Sequence, residues 1–258
     1  LPQNAWAWMG RMPKDPEWIA KKAAFRITGD LSIARARGVI RLSESVPAGK
    51  SPSIVLPNVL SDEFDDLAKL VVKTSKPSRK PYVYSFGNFI DYRNYDKLIE
   101  GFLQSGETRT LLIHGGVLSR SYLRRCESLV GEHNASVELD SERKSRIEIL
   151  RHIYWSDGVI FPSTAEASPI SLLETLALGK AVICNDIPGH SQSLKMATAL
   201  ASAIDIGSSE KLAAALAELS GGEATGSMDP IGSVAYRVRE DAREHWLEDL
   251  KVFVARLG

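Results

Sequence analysis

From Pro81 onward, short apolar runs alternate with longer stretches of helical period. "YVYSF" is aromatic and β-branched and closes at Gly87. "NYDKLIEGFLQSG" then places Leu98, Ile99 and Phe102 at helical spacing and stops at Gly106. "TLLIHGG" is a second strand closed by glycines, and "SRSYLRRCESLVGEHN" reads as a helix. "SVEL" is strand-like, and "ERKSRIEILRHIYW" puts Ile147, Leu150 and Tyr154 on one face. "GVIFPS" is a strand stopped by Pro162, "ISLLETLALG" a helix ended by Gly179, and "KAVICND" another strand. "ASAID" and "SEKLAAALAELSGG" add one more strand and helix. This alternation predicts about six βα units over 81–220, an α/β fold with one doubly wound parallel sheet of Rossmann-like type.

The first eighty residues follow a different rhythm. "GVIRLS" and "SIVLPN" read as short strands, the second running into a Pro-Asn turn. "DEFDDLAKLVVKTSKPSRKP" passes from acidic to basic and reads as a connector, so a linker is expected at 63–80. A Gly, Ser, Asp and Pro break at 225–234 precedes an amphipathic terminal helix with Trp246, Leu250 and Phe253 on one stripe. Four parts are therefore expected: 1–62, the linker 63–80, the sheet domain 81–228 and the closing helix 229–258.

Composition narrows the function classes. Lys plus Arg and Asp plus Glu number 32 each, so no global field favours nucleic acid, and no nucleic-acid partner is expected. The two cysteines, Cys126 and Cys184, sit in no CxxC or Cys/His cluster, which argues against a disulfide framework and a zinc site. There is no Asp-x-Asp motif, and no metal is expected. No run of eighteen apolar residues and no signal-like leader is present, so the expected location is cytoplasmic. The chain begins at Leu1, as a processed protein or a fragment would.

The chemistry concentrates in "FPSTAEASPISLLETLALGKAVICNDIPGH", 161–190. Pro162 ends a strand, so "STAEAS" lies at the carboxyl edge of the sheet, where open α/β folds bind ligands. Ser168 is expected as N-cap with Pro169 at the first helical position. The free N–H groups of Ile170 and Ser171 would then face an anion, helped by the helix dipole. Glu166 precedes this tip and Glu174 lies about 6–7 Å further along the helix axis. They are either surface charges or the two grips on a polar ligand. Carboxylates accept strongly from hydroxyls, which suits a sugar–diphosphate–ribose.

This stretch resembles the donor segment of the retaining, two-Rossmann-domain (GT-B) glycosyltransferases of group 1. Their pattern is a strand ending Pro-Ser, then Glu-Gly-Phe-Gly, then a second Glu followed by Ala-Met-Ala-x-Gly and a strand. The resemblance implies that Glu166 binds the donor sugar and Glu174 the ribose. "ASPI" replaces Gly-Phe-Gly-Leu here. "YSFGNFIDYRNYDKLIEGF" resembles the family's Gly-Arg-Leu-x-x-x-Lys-Gly segment, whose two cations neutralise the donor diphosphate. Gly87 keeps its place, Arg93 stands at the Lys position, and Asn88 replaces the Arg.

"ARARGVIRLSESV" and "IVLPNVLSDEF" resemble the end of the family's acceptor domain, whose first half would lie before Leu1 and add roughly a hundred residues. The family would use no cofactor beyond a nucleoside diphosphate sugar as donor, with a saccharide or lipid-linked hydroxyl as acceptor. A non-catalytic nucleotide-sugar-binding or partner module of the same fold is the alternative, favoured by Asn88 and Pro169.

Other candidates keep two readings. His114 in "IHGG" and His190 in "DIPGH" end at the ligand edge and either touch the donor or are satisfied inside the fold. Arg120, Arg124 and Arg125 read as a solvated helix face. Trp6, Trp8 and Trp18, interleaved with basic residues, fit either peripheral membrane contact or packing within the acceptor domain.

Overall fold

The computed structural model describes residues 31–257, except 47–48, 78–79, 132–135, 196–200 and 222–233. Trp6, Trp8 and Trp18 lie outside the described residues. Eight short strands are described: β1 (Val39–Arg41), β2 (Ser53–Val55), β3 (Tyr82–Phe86), β4 (Thr110–His114), β5 (Val137–Asp140), β6 (Gly158–Phe161), β7 (Val182–Asn185) and β8 (Ala201–Ile204). The helices are α1 (Asp62–Val71), α2 (Tyr95–Gln104), α3 (Arg120–Val130), α4 (Arg146–Trp155), α5 (Ile170–Ala177), α6 (Pro188–Leu194), α7 (Ser209–Gly221) and α8 (Val234–Arg256).

β3 to β8 form one six-stranded sheet in the order β5-β4-β3-β6-β7-β8, and every pairing is parallel. Counted within that sheet, the order is the doubly wound 3-2-1-4-5-6. β1 and β2 make a separate parallel pair.

Strand alternation explains why both faces are covered. Tyr82, Tyr84, Leu112, Val159, Phe161, Val182 and Cys184 face one layer, against α1, α4 and α5. Val83, Leu111, Ile113, Val137, Ile160 and Ile183 face the other, against α2, α3 and α7. A parallel sheet needs this double cover, and its strands read as continuous apolar runs for that reason. Leu98, Ile99 and Phe102 of α2 are fully buried, each contributing about 1.5–3 kcal/mol.

The linker expected at 63–80 is only partly a connector. Its first half is α1, and Phe64, Ala68 and Val71 pack into the core layer of α4 and α5. The acidic residues that suggested a connector lie in the first turn of this helix, where they complement its dipole. At the other end of the chain, α8 meets the N-terminal segment. A Cβ added at Gly38 would stand 2.9 Å from Phe253, and Arg37 donates to the Leu257 carbonyl at 3.1 Å.

Strand order reverses between β3 and β6. The loops leaving those two strands carry Gly87–Arg93 and Ser163–Ser168, so the topology brings together both stretches singled out in the sequence.

Candidate functional site

Gly87 leaves β3 at φ 133°, a conformation that strains any side chain. The chain then turns through a short 3-10 segment, Asp91–Arg93, and Arg93 folds back over the loop. A Cβ on Gly87 would stand 3.0 Å from Arg93 Nε. Tyr95 holds the loop by donating from its hydroxyl to the Gly87 carbonyl at 3.1 Å.

Arg93 Nη1 donates to Glu166 Oε1 at 2.7 Å and to Ser163 Oγ at 3.2 Å. Thr164 ties the same two loops by donating from its N–H to the Tyr92 carbonyl at 2.9 Å. The Arg93 guanidinium also lies over the Tyr92 ring, 5.3 Å from its centroid. Burial alone would lower the Arg93 pKa, but Tyr95, Glu166 and Tyr92 offset it and the net direction is up. Its Nε is buried without a hydrogen-bond partner. The site thus holds a fixed positive charge with donor capacity to spare.

Two glycines missed in the sequence make these loops fit. A Cβ on Gly115 would stand 1.8 Å from the Gly87 carbonyl oxygen, and one on Gly189 would stand 2.0 Å from that of Glu166. Both contacts are backbone against backbone, so the "HGG" and "PGH" glycines are spacing requirements. The repeated glycine in "HGG" was the available signal.

The tip of α5 departs from expectation. The helix starts at Ile170 with Pro169 as N-cap, and no side chain caps it. Ser168 is turned to other use. Its Oγ accepts from the Asn58 N–H at 2.9 Å and its carbonyl accepts from Asn58 Nδ2 at 2.6 Å. The Pro-Asn turn of the N-terminal segment therefore competes successfully for the hydroxyl that capping would need. Ile170 and Ser171 sit in the first turn, where N–H groups have no acceptor within the helix.

Glu174 lies one turn further and is 7% exposed. Arg146 reaches it from the first turn of α4, with Nε 3.1 Å from Oε1 and Nη2 bonded to the same oxygen. Arg146 Nη1 also donates to Glu63 of α1 at 3.1 Å. Among the described residues, Glu174 Oε2 takes no hydrogen bond. Burial raises the Glu174 pKa and Arg146 pulls it down; the net direction is up. Sequence reasoning missed Arg146, because its partner is 28 positions away and on another helix.

His190 is fully buried on α6. Its Nδ1 lies 2.8 Å from the Asn185 carbonyl. A carbonyl only accepts, so Nδ1 carries the proton and Nε2 is left as a buried acceptor without a partner. Burial pushes this imidazole down to about 4, with Asn185 pulling up and Arg93 down.

His114 is held inside the sheet layer instead. It shares a 2.7 Å hydrogen bond with the Tyr84 hydroxyl, and burial lowers its pKa. Arg125 is not merely solvated: it pairs with Asp91 at 2.8 Å and Asp96 at 3.5 Å. The two cysteines are free and buried, and burial pushes each thiol up to about 12.

Among the described residues, no three His, Cys, Asp or Glu side chains gather as a ligand set, and no helix is long and apolar enough to cross a membrane.

The family model described as glycosyl transferases group 1 matches residues 68–228. No curated protein matches the chain. The fold is similar to that of a trehalose-6-phosphate synthase, at 10% identity and TM-score 0.68, covering 96% of this chain and 65% of that one. It is similar to the sucrose-phosphate synthase of Thermosynechococcus elongatus, at 17% identity and TM-score 0.65, covering 98% and 66%. A structure of trehalose-6-phosphate from E. coli bound with UDP-2-fluoro glucose is similar at 15% identity and TM-score 0.56, covering 80% and 52%. The chain thus spans about two thirds or less of the length of these structures.

Proposed function

Since the chain belongs to the group 1 glycosyl transferases, with the family model matching residues 68–228, we propose that it transfers a sugar from a nucleoside diphosphate sugar, with retention and without a metal, to a saccharide or lipid-linked hydroxyl. Arg93 paired with Glu166 at the sheet's switch point is the observation that carries this reading.

Loss of a nucleoside diphosphate develops negative charge on the leaving oxygen. A fixed cation stabilises that charge more in the transition state than in the ground state. Arg93, held over Gly87 and oriented by Glu166, supplies it. The first-turn N–H groups of Ile170 and Ser171 add dipolar stabilisation. Glu166 would accept from hydroxyls of the donor sugar while keeping Arg93 oriented. Glu174 would take the ribose on Oε2, its other oxygen being held by Arg146. His190 offers a neutral buried acceptor at the same edge. Gly87 leaves room for Arg93 to lie close over the loop backbone, a Cβ there standing 3.0 Å from Arg93 Nε.

One of the similar structures is bound with UDP-2-fluoro glucose, and this supports a nucleotide sugar as donor. A cytoplasmic place, at the inner membrane face where the acceptor is lipid-linked, and a part in polysaccharide assembly go with this reading.

Titration calorimetry with UDP and GDP, together with transfer assays using UDP-, GDP- and ADP-sugars, tests it. Binding of one nucleotide and release of that nucleotide from its sugar are expected. Absence of binding by both nucleotides together with no turnover of any of the three sugars overturns the donor site.

Asn88 in place of the family's arginine favours a second reading, a nucleotide-sugar-binding module without turnover. Binding with no transfer or donor hydrolysis would select it.

A further inference from the structure

A diphosphate site built on Arg93 alone is one cation short of the pattern the sequence resembles, because Asn88 is neutral. The structure puts a cation beside that gap. Gly116, two residues beyond β4, is the shared neighbour: a Cβ there would stand 3.1 Å from Asn88 Oδ1 and 3.8 Å from both Cγ and Nε of Arg143. Arg143 lies in the segment between β5 and α4 and is exposed. Chain elements from three strand ends thus meet around Gly116.

The charge balance around Arg143 separates it from its neighbours. Lys144 is held by Asp140 at 3.0 Å and Glu142 at 3.0 Å. Arg146 is held by Glu174 and by Glu63 at 3.1 Å. Among the described residues, Arg143 makes no ion pair or hydrogen bond. An unpaired guanidinium at the mouth of an anion site attracts anions and binds phosphate oxygens in a fork. The opposing glycines are what let it reach. A side chain at Gly116 would come between Arg143 and Asn88, and one at Gly115 would collide with Gly87.

We infer that Arg143 is the second diphosphate-binding residue of this chain, standing in from the β5–α4 segment for the charge that Asn88 lacks. This rests on the nucleotide-sugar reading above. Arg93 then takes the diphosphate from the Gly87 side and Arg143 from the Asn88 side. Asn88 contributes amide hydrogen bonds between them.

The test compares affinity for a nucleoside diphosphate with that for its monophosphate, by calorimetry on the full chain. UDP with UMP, or GDP with GMP, is used, whichever diphosphate the wild type binds. Arg143→Gln should weaken the diphosphate about tenfold and the monophosphate less than about threefold, since a bidentate charged contact is lost at one end of the ligand only. Asn88→Arg added to Arg143→Gln should return the diphosphate affinity to within about threefold of wild type. An unchanged affinity, an equal loss on both ligands, or no recovery by Asn88→Arg overturns the inference. A wild type that binds no nucleotide overturns the donor site itself, and so is told apart. Arg143 is exposed, so these variants should keep the wild-type melting temperature, which circular dichroism checks.

Discussion

Arg93 and Glu166, 73 residues apart in the chain, meet at 2.7 Å between the loops that leave β3 and β6. Each side chain is about four-fifths buried, at 20% and 19% exposure. Neither loop could hold its charge alone in so little water, so each is the other's condition for being there.

Removing one partner of this pair should therefore cost more than removing both. Arg93→Met is expected to lower stability by about 2–3 kcal/mol, and Arg93→Met/Glu166→Met to recover at least about half of that. Urea unfolding of the singles and the double gives the coupling. A double whose loss equals the sum of the two single losses would mean that the two residues act independently.

The Arg146 contact should govern how Glu174 titrates. The folded Glu174 pKa is raised above 4.5, so folding favours the protonated form, and this carboxyl's contribution is lost as pH rises through its folded value. Arg146 opposes the rise. Arg146→Met should therefore steepen the loss of stability on going from acid to neutral pH, and Glu174→Gln added to it should flatten the curve. Melting temperatures measured across that range would show it; parallel curves for wild type and Arg146→Met would refute it.

His190 has the opposite sign. Its folded pKa is near 4 against 6.5 for a free imidazole, so the unfolded chain binds the extra proton. Stability should fall as pH drops from about 6.5 toward about 4, on the order of 3 kcal/mol over the window. His190→Phe should remove most of this acid sensitivity. Chemical denaturation at pH 7 and pH 4.5 measures the difference, and an unaltered difference in the variant would locate the effect elsewhere.

The two spacing glycines give a steric prediction. Gly115→Ala and Gly189→Ala each force a Cβ within about 2 Å of a backbone oxygen, so a loop must move. Gly106→Ala meets nothing nearby, and its cost comes from its φ of 70° alone. The first two should weaken nucleotide affinity at least about tenfold where the third leaves it unchanged. Calorimetry on the three variants ranks them.

Periodicity carried most of the architecture. Leu98, Ile99 and Phe102, or Ile147, Leu150 and Tyr154, announce which helix face is buried, because a helix can hide only one stripe. The strands of the sheet were legible as unbroken apolar runs for the converse reason, being covered on both sides. What stayed hidden were contacts between distant elements. Nothing local marks Arg146 as Glu174's partner or Asn58 as the claimant on Ser168. The cap assigned to Ser168 followed sound local preference and lost to a tertiary hydrogen bond. Residues of α1 looked like a charged connector because only Phe64, Leu67, Ala68 and Val71 of it turn inward.

Asn58 and α1 bear on how far this domain is modular. Leu60, Phe64, Ala68 and Val71 share one core layer with Leu172, Leu173 and Leu176 of α5. A boundary drawn at residue 81, where the sheet begins, would strip that layer and free Ser168 from its clamp. The smallest portable cassette for grafting or expression therefore starts before Asn58, well outside the strands it serves.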